Sequence, residues 1–306
     1  MVIGVDYGGT KIEAIVLTPT GEALGRRRVP TPRGDYQGSL DAIKSLVEGL
    51  EAEFHLAPSP MGIGTPGAVG ADGHIYHGNS TWLIGKPLRA DLESRLGRTV
   101  RVANDANCFA LSEAIDGAGA GHRIVFAAII GTGVGGALVV DGKIINGNSG
   151  MAGEWGHSRL PIADPAAEWP GPQCFCGRKG CVETWVAGPG LEADHARRIG
   201  VQSGSGPRVP AILEAADAGD QHAQTTLKLH LQRLARSLAS VVNVLDPHVI
   251  VLGGGVSNLP GLAKGLRSAM QPHLYSSDST VTVKRATFGD SSGVRGAARM
   301  ALEAET

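Results

Sequence analysis

Three cysteines lie close together in the sequence, at a spacing that could serve a metal ion or redox chemistry. Cys174, Cys176 and Cys181 fall within the stretch CFCGRKGCVE, and the fourth cysteine of the chain is Cys108. A disulfide between Cys174 and Cys176 would close a very small, strained ring. A thioredoxin-type redox pair is also disfavoured, because the Cys-x-x-Cys spacing is absent.

A structural zinc site is the interpretation that uses all three thiols. Such a site needs four tetrahedral nitrogen or sulfur ligands, so three thiolates leave one position to fill. His157, which precedes the cysteines across a Pro-rich loop, can fill it. Four protein ligands leave no open position for water. We therefore predict that a structural Zn²⁺ folds the loop 154–183 and is bound by His157, Cys174, Cys176 and Cys181.

Glycine-rich turns could bring backbone N–H groups close to phosphate oxygens, because glycine has no Cβ in the way. DYGGTK begins at residue 6 and GTGVGG at residue 131, and a third cluster, GGG, follows the apolar strand VIVL. The first two turns each lead into another strand, which excludes a Walker A motif and a dinucleotide fingerprint. Either turn alone could be a plain hairpin turn. Together they predict an ATP site formed by Gly4, Asp6, Gly8, Gly9, Thr10, Lys11, Gly131, Thr132, Gly133, Gly135, Gly136, Gly254 and Gly255, with Mg²⁺ at Asp6.

An acidic residue, Asp105, follows the apolar strand VRVAN, at the position where open α/β sheets place functional side chains. It could simply be the N-cap of the helix that begins next, since aspartate is a preferred N-cap residue. It could also be the general base that accepts the proton of an alcohol during phosphoryl transfer. The spacing alone leaves both possibilities open.

The composition argues against several other classes of function. The chain has 306 residues and a formal net charge of −1, so nothing electrostatic favours nucleic acid or an anionic membrane as a partner. A strand begins at Val2, and no apolar run is long enough for a membrane span. These features predict a cytoplasmic protein. In that reducing compartment, clustered cysteines indicate metal or redox chemistry before disulfides.

The elements that must position these residues alternate between strands and helices. MVIGVDYGGTKIEAIVL and IVFAAIIGTGVGGALVV each predict a hairpin with a glycine turn, which indicates an internal duplication with one ligand between the copies. Helical patterns at 40–54, 88–96, 106–115 and 221–245 interleave with further strands. We predict an α/β fold with mixed sheets in two lobes, the small one formed by 1–105 plus 290–306 and the large one by 106–289.

Taken together and in their order, these motifs resemble those of the ROK family of sugar kinases, which share the two-lobed actin-like ATPase (ribonuclease H-like) fold. The matching segments are DYGGTK, NDAN, IIGTGVGG, AGEWGH, CFCGRKGCVE and VLGGGVSN. The resemblance implies that Asp105 is the catalytic base, that ATP, Mg²⁺ and a structural Zn²⁺ are bound, and that the protein is a homodimer. It also implies a hexose site formed by Asn79, Asn104, Asp105, Glu154, His157 and Glu183.

The identity of the hexose depends on shorter segments. NSTWLIGKPL, DANC and GDSSGVRGAA resemble the bacterial fructokinases with mannokinase activity more than other members of the family. We therefore expect ATP-dependent phosphorylation of D-fructose at the 6-hydroxyl, with mannose as a further substrate. The alternatives are a glucokinase or an N-acetylglucosamine kinase of the same family, and a sugar-sensing protein that keeps the fold without the chemistry. An intact Asp105 and two intact glycine turns argue against the sensor.

Overall fold

The computed structural model describes residues 1–70, 72–78, 80–202 and 204–302. The strands are β1 Val2–Tyr7, β2 Lys11–Leu17, β3 Ala23–Pro30, β4 Met61–Thr65, β5 Ala68–Val69, β6 Ile75–Tyr76, β7 Val100–Asn104, β8 Ile124–Ile130, β9 Val134–Val140, β10 Lys143–Ile144, β11 Val249–Gly253 and β12 Thr282–Arg285. The α-helices are α1 Tyr36–Phe54, α2 Leu88–Leu96, α3 Asp105–Ile115, α4 Pro165–Glu168, α5 Glu183–Val186, α6 Gly188–Arg198, α7 Val209–Asp217, α8 Gln221–Leu245, α9 Leu262–Met270 and α10 Ser292–Met300. Short 3-10 helices lie at Thr81–Leu83, Trp155–His157, Gly255–Asn258, Gln271–His273 and Gly289–Ser291.

The chain forms two compact units. Unit 1 comprises Met1–Gly121, Ala137–Ala152 and Thr287–Thr306, and unit 2 comprises His122–Gly136 and Gly153–Ala286. Unit 1 therefore includes residues 106–121 and 137–152, which the sequence analysis assigned to the large lobe. Close packing of α3 on α10 explains part of this difference, because a Cβ on Gly296 would lie 1.7 Å from the Cys108 carbonyl oxygen.

The sheet of unit 1 has the strand order β3–β2–β1–β4–β7. β1 and β2 form the predicted antiparallel hairpin, whereas β1, β4 and β7 run parallel to one another. Asp6 pairs with Gly64 of β4, and Thr65 pairs with Asn104 of β7. Because the carboxyl ends of parallel strands meet at one edge of a sheet, Asp6 and Asn104 are both placed at that edge.

Helix α1 covers one face of this sheet, and its sequence contains both the apolar face that packs on the sheet and the residue that caps its N-terminus. Leu40, Ile43, Val47 and Leu50 recur every three or four residues and are all buried in the core of unit 1. Asp35 is the N-cap, since its Oδ1 accepts a hydrogen bond from the Gly38 N–H at 2.9 Å. The apolar stripe and the cap together fix where this helix begins and which side it buries.

The second sheet has the order β10–β9–β8–β11–β12, and β8, β11 and β12 are parallel. Helix α8 is the long helix of unit 2. Asp220 caps its N-terminus, and Leu234, Leu238 and Val242 form part of its buried face. The predicted α/β fold with mixed sheets is confirmed. Within the described residues, no helix combines the length and apolar character that crossing a bilayer requires.

Candidate functional site

The first glycine turn joins β1 to β2 in unit 1, and side chains from outside the turn brace it. The Thr31 hydroxyl donates to the Gly8 carbonyl oxygen at 2.7 Å, and Arg33 Nε donates to that of Gly9 at 2.8 Å. Thr10 remains exposed at the tip. The sequence analysis missed Thr31 and Arg33, because both lie outside the motif they support.

A buried carboxylate, Glu13, lies on β2 close to this turn, and three cations surround it. Arg26 Nε and Arg28 Nε donate to Glu13 at 2.5 and 2.7 Å, and Lys11 Nζ lies 3.7 Å from its Oε2. Burial alone would raise the pKa of Glu13, but hydrogen bonds from Arg26 and Arg28 hold it below its ordinary value. Lys11, predicted to contact phosphate, is thus paired with Glu13 in this structure.

Asp6 is half-buried at the carboxyl end of β1, opposite Glu13 in the β1–β2 register. Burial, followed by the nearby carboxylates of Asp105 and Glu13, raises the pKa of Asp6 to about 7. A divalent cation would favour the charged form of such a carboxylate, and carboxylate oxygens are the ligands that Mg²⁺ prefers. The surroundings of Asp6 therefore fit the predicted magnesium site.

Asp105 is the first residue of α3, and its side chain is exposed. Asn104 is the N-cap, because its Oδ1 accepts a hydrogen bond from the Ala106 N–H at 2.8 Å. Asn104 Nδ2 donates in turn to the Gly67 carbonyl oxygen at 3.0 Å. Asp105 Oδ1 shares the Ala106 N–H, also at 2.8 Å. Because Asn104 already caps the helix, capping does not account for an acidic residue at 105.

Gly4 was predicted to contact phosphate, and the structure gives a packing reason for a glycine at this position. Gly4 lies within β1 beneath α10, where a Cβ would be 2.3 Å from the Ala298 backbone nitrogen and 2.4 Å from the Val294 carbonyl oxygen. Its lack of a side chain is a requirement of helix packing on the sheet.

The second glycine turn, 131–136, lies in unit 2 and is held by Glu183. The Glu183 Oε2 accepts a hydrogen bond from the Val134 N–H at 2.9 Å. A Cβ on Gly133 would lie 2.7 Å from the same oxygen, so a side chain there would displace the Glu183 carboxylate. Glu183 is the first residue of α5. An acidic residue in the first turn of a helix interacts favourably with the helix dipole.

The third glycine cluster lies next to this turn, because β8 and β11 are parallel neighbours. Gly254 adopts φ +79°, and a Cβ there would lie 2.4 Å from the Ile130 carbonyl oxygen. Thr132, Gly254 and Gly255 are all exposed. Two backbone segments rich in glycine are thus brought together at the carboxyl ends of two parallel strands, an arrangement that suits phosphate oxygens.

Trp155 contacts the last two glycines of the second turn. Its Nε1 donates to the Gly135 carbonyl oxygen at 2.8 Å, and a Cβ on Gly136 would lie 2.6 Å from its ring. Trp155 is itself part of the buried core of unit 2. The lack of a side chain at Gly136, predicted as a phosphate contact, therefore makes room for this tryptophan, and Gly135, also predicted as a phosphate contact, bonds to it through its backbone.

The predicted zinc ligands come together in unit 2. One ligand atom from each of His157, Cys174, Cys176 and Cys181 lies within 4.8 Å of the others. Cys174 Sγ is 3.6 Å from His157 Nδ1, and Cys176 Sγ is 3.6 Å from Cys181 Sγ. Tetrahedral zinc with Zn–S bonds of about 2.3 Å separates two thiolates by about 3.8 Å. The donor set and its spacing therefore fit Zn²⁺, and no disulfide joins these three cysteines.

The thiols of this cluster differ in acidity. Burial raises the pKa of Cys174 and of Cys181, whereas hydrogen bonds from the backbone and then the side chain of Arg178 lower the pKa of Cys176 to about 6. Zn²⁺ binds thiolates, so its binding would displace the protons of the two buried thiols. Metal affinity is therefore expected to fall as the pH falls.

Three of the predicted sugar ligands are in unit 2: one belongs to the cluster, one lies beside it, and one precedes it in the chain. Glu183 Oε1 is 3.9 Å from Cys174 Sγ, and His157 is a cluster member. Glu154 is exposed, and its carbonyl oxygen accepts from the His157 N–H at 3.2 Å. Asn79, the remaining predicted sugar ligand, lies outside the described residues.

Comparisons with known proteins agree with this arrangement of motifs. The model of the ROK family matches residues 2–304. The chain is 40% identical over 308 residues to N-acetyl-D-glucosamine kinase of Shigella flexneri serotype 5b (strain 8401), with 99% of each protein covered. An N-acetyl-D-glucosamine kinase from Escherichia coli strain K12 is 39% identical with the same coverage.

Solved structures are similar over nearly the whole chain. The ROK hexokinase from Thermus thermophilus has a TM-score of 0.85 and 33% identity, with 97% of this chain and 96% of that chain covered. A ROK family glucokinase from Streptomyces griseus, solved in complex with glucose and AMPPNP, has a TM-score of 0.76 and 32% identity, with 98% of each chain covered.

Proposed function

Because the chain belongs to the ROK family, we propose that it is a kinase that transfers the γ-phosphoryl group of ATP to the 6-hydroxyl of N-acetyl-D-glucosamine. The observation that carries the choice of sugar is the 40% identity to an N-acetyl-D-glucosamine kinase along 99% of both proteins. Fructose, which we expected from short segments of the sequence, is not supported by these relatives. Similarity along the whole chain outweighs similarity in three short segments.

Asp105 is proposed as the general base. Phosphoryl transfer needs little covalent chemistry from the protein, but a carboxylate must accept the hydroxyl proton as the oxygen–phosphorus bond forms. Asp105 is exposed at the N-terminus of α3. Asn104 Nδ2, which donates to the Gly67 carbonyl oxygen, keeps the adjacent turn in place.

Each unit is proposed to supply its own phosphate contacts. In unit 1 these are Gly8, Gly9 and Thr10, in the turn braced by Thr31 and Arg33. In unit 2 they are Gly131, Thr132, Gly133, Gly254 and Gly255. Mg²⁺ bound at Asp6 would neutralise charge on the transferred phosphoryl group. The Asp6 carboxylate would need to lose its proton first, since its pKa is raised to about 7.

The Cys₃His cluster is proposed to bind Zn²⁺ in a structural role. Four protein ligands fill the coordination sphere of the metal, so no position remains for a reacting water molecule. The metal would therefore stabilise the local structure and take no part in the reaction. Its effect on the chain would be to fix the ring of His157 and the segment 154–183. Glu154, His157 and Glu183 are the residues of unit 2 that we propose bind the sugar.

One assay tests this proposal. ADP release is measured with N-acetylglucosamine, glucose, mannose and fructose at saturating MgATP, and the product is checked for a 6-phosphate by NMR. We expect kcat/KM for N-acetylglucosamine to exceed that for each other sugar by at least about tenfold. A preference for fructose would restore the sequence-based expectation. Purified protein with no sugar-dependent ADP release would support the sensor instead.

A further inference from the structure

Unit 1 contains a cavity of ≈ 350 Å³ that none of the predicted catalytic or phosphate-binding residues explains. It is lined by Val69, Val102, Asn104 and Asn107, by Arg89 at one side, and by the loop that carries Asn146. Asn104 directly precedes Asp105 in the chain, so the cavity begins next to the proposed catalytic base. The cavity is thus placed to receive part of a substrate whose reacting hydroxyl is at Asp105.

The polar part of the lining is a pair of carboxamides. Asn107 is only 5% exposed, and its Nδ2 donates to Asn146 Oδ1 at 3.1 Å. Each carboxamide has two donor hydrogens and an oxygen with two lone pairs, so the pair has capacity beyond this one bond. The two carboxamides therefore suit a ligand group that both donates and accepts hydrogen bonds.

The loop that carries Asn146 packs against Val69, another residue of the lining. The Ala152 N–H donates to the Asn146 carbonyl oxygen at 3.1 Å. Gly150 has φ +72°, and a Cβ there would lie 2.5 Å from the Val69 carbonyl oxygen. Val69 and Val102 add an apolar surface beside the carboxamides. The lining therefore includes both amide groups and methyl groups.

We propose that this cavity is the subsite for the acetamido group on C2 of the substrate, an inference that rests on the proposed N-acetylglucosamine kinase activity. An acetamido group has one N–H, one carbonyl oxygen and one methyl group. Asn107 and Asn146 bind the N–H and the carbonyl oxygen, and Val69 and Val102 contact the methyl group. A sugar without this group leaves the cavity to water, and loses only the binding that the group provides.

Two variants test the subsite. Asn146→Ala removes a carboxamide from an exposed loop, so the fold should be retained. A site that hydrogen-bonds one group of a substrate strongly favours substrates that carry this group. Loss of the Asn146 carboxamide should therefore lower kcat/KM for N-acetylglucosamine at least about tenfold, mainly by raising KM. With glucose, the change should be less than about threefold. Val102→Phe fills the cavity instead, and should reduce activity with N-acetylglucosamine while sparing glucose. As a matched control, Asn243→Ala in unit 2 should leave the ratio of the two sugars unchanged.

Equal losses on both sugars in Asn146→Ala and Val102→Phe, or an unchanged ratio, would overturn the subsite. Calorimetric binding without ATP separates this outcome from failure of the proposed function. If the wild type phosphorylates glucose or fructose but not N-acetylglucosamine, the proposed function fails. The subsite then stands only if N-acetylglucosamine binds the wild type more tightly than glucose does and Asn146→Ala abolishes that difference, and it is overturned otherwise.

Discussion

The Glu183 carboxylate accepts a hydrogen bond from the Val134 backbone N–H at 2.9 Å, and its other oxygen lies 3.9 Å from Cys174 Sγ. One side chain therefore connects the second glycine turn to the metal cluster within unit 2. Hydrogen bonds to a charged acceptor are stronger than those between neutral groups. The bond from Val134 to Glu183 is therefore expected to stabilise the conformation of the turn. The conformation of the turn and the order of the cluster are consequently expected to change together.

Gly133→Ala tests this connection. The added Cβ would lie 2.7 Å from Glu183 Oε2 and would displace the carboxylate from Val134. We expect kcat/KM for ATP to fall by about ten- to a hundredfold, the size of one lost hydrogen bond to a charged group. Gly49→Ala is the control, since nothing lies within 4 Å of a Cβ there and the residue sits inside α1. That change should leave ATP kinetics intact and stabilise the protein by up to about 1 kcal/mol. Unaltered ATP kinetics in Gly133→Ala would show that Glu183 does not support the turn.

Asp105→Asn tests the proposed base. The amide keeps the size of the side chain and can still accept from the Ala106 N–H, but it cannot take a proton. We expect kcat to fall by about 10² to 10⁴-fold, the usual range for loss of a general base. Sugar binding measured by calorimetry should change much less. Asp217→Asn, at an exposed position at the end of α7, should have no effect. A variant at 105 that retains near wild-type turnover would remove Asp105 from the mechanism.

Local signals in the sequence predicted much of the fold. The bounds of α2 and α8 were predicted correctly, and both hairpins with glycine turns are present. These elements are encoded by periodic apolar residues and by turn residues that act over a few positions. The grouping of His157 with Cys174, Cys176 and Cys181 was also predicted, because the chemistry of the three thiols favours a metal site.

Long-range packing accounts for what the sequence did not reveal. Gly4 and Gly136 carry no side chain because a helix and an indole ring press on them, which only the tertiary structure shows. Glu13 has the pattern of an exposed strand residue, yet Arg26 and Arg28 from the neighbouring strand allow its burial. Residues 137–152 were assigned to the large lobe because chain order places them after 106, whereas contacts place them in unit 1.

Asp6→Asn should stabilise the metal-free protein at high pH. The pKa of Asp6 is raised from 3.8 to about 7, mainly by burial, so between these values the folded state holds a proton that the unfolded state has lost. The stability contributed by the protonated carboxyl group is therefore fully present below pH 3.8 and is lost as the pH rises through 7, by up to about 1.4 kcal/mol per pH unit. Asparagine does not titrate, so the difference in free energy of unfolding should grow over this interval and be constant above it.

Urea unfolding in EDTA at several pH values measures this difference. Adding Mg²⁺ at pH 8 should stabilise the wild type and not Asp6→Asn, because a ligand stabilises only the protein that binds it. A difference that does not vary with pH would contradict the raised pKa. Equal stabilisation of both proteins by Mg²⁺ would place the magnesium site elsewhere.

Cys176→Ser tests the metal cluster, because a hydroxyl is a poor replacement for a thiolate ligand. We expect the purified wild type to contain about one zinc per chain, as a single four-ligand site requires, and the variant to contain almost none. Binding of a structural metal is coupled to folding, so loss of zinc should increase hydrogen exchange throughout 154–183. Exchange in α1 and in the sheet of unit 1 should be unaffected. Binding of N-acetylglucosamine should be lost with the metal, since His157 and Glu183 belong to the same neighbourhood.

The controls separate metal loss from general damage. Cys108→Ala removes a buried thiol from unit 1 and should keep the full zinc content. His157→Gln removes a metal ligand and a proposed sugar contact at once, so it should be at least as harmful to sugar binding as Cys176→Ser. Release of zinc to a chelator should accelerate as the pH falls, because the raised pKa values of Cys174 and Cys181 favour their protonation. A fully active preparation without zinc, or a disulfide between any two of the clustered cysteines, would refute the structural metal and leave the spacing of the three thiols without a chemical reason.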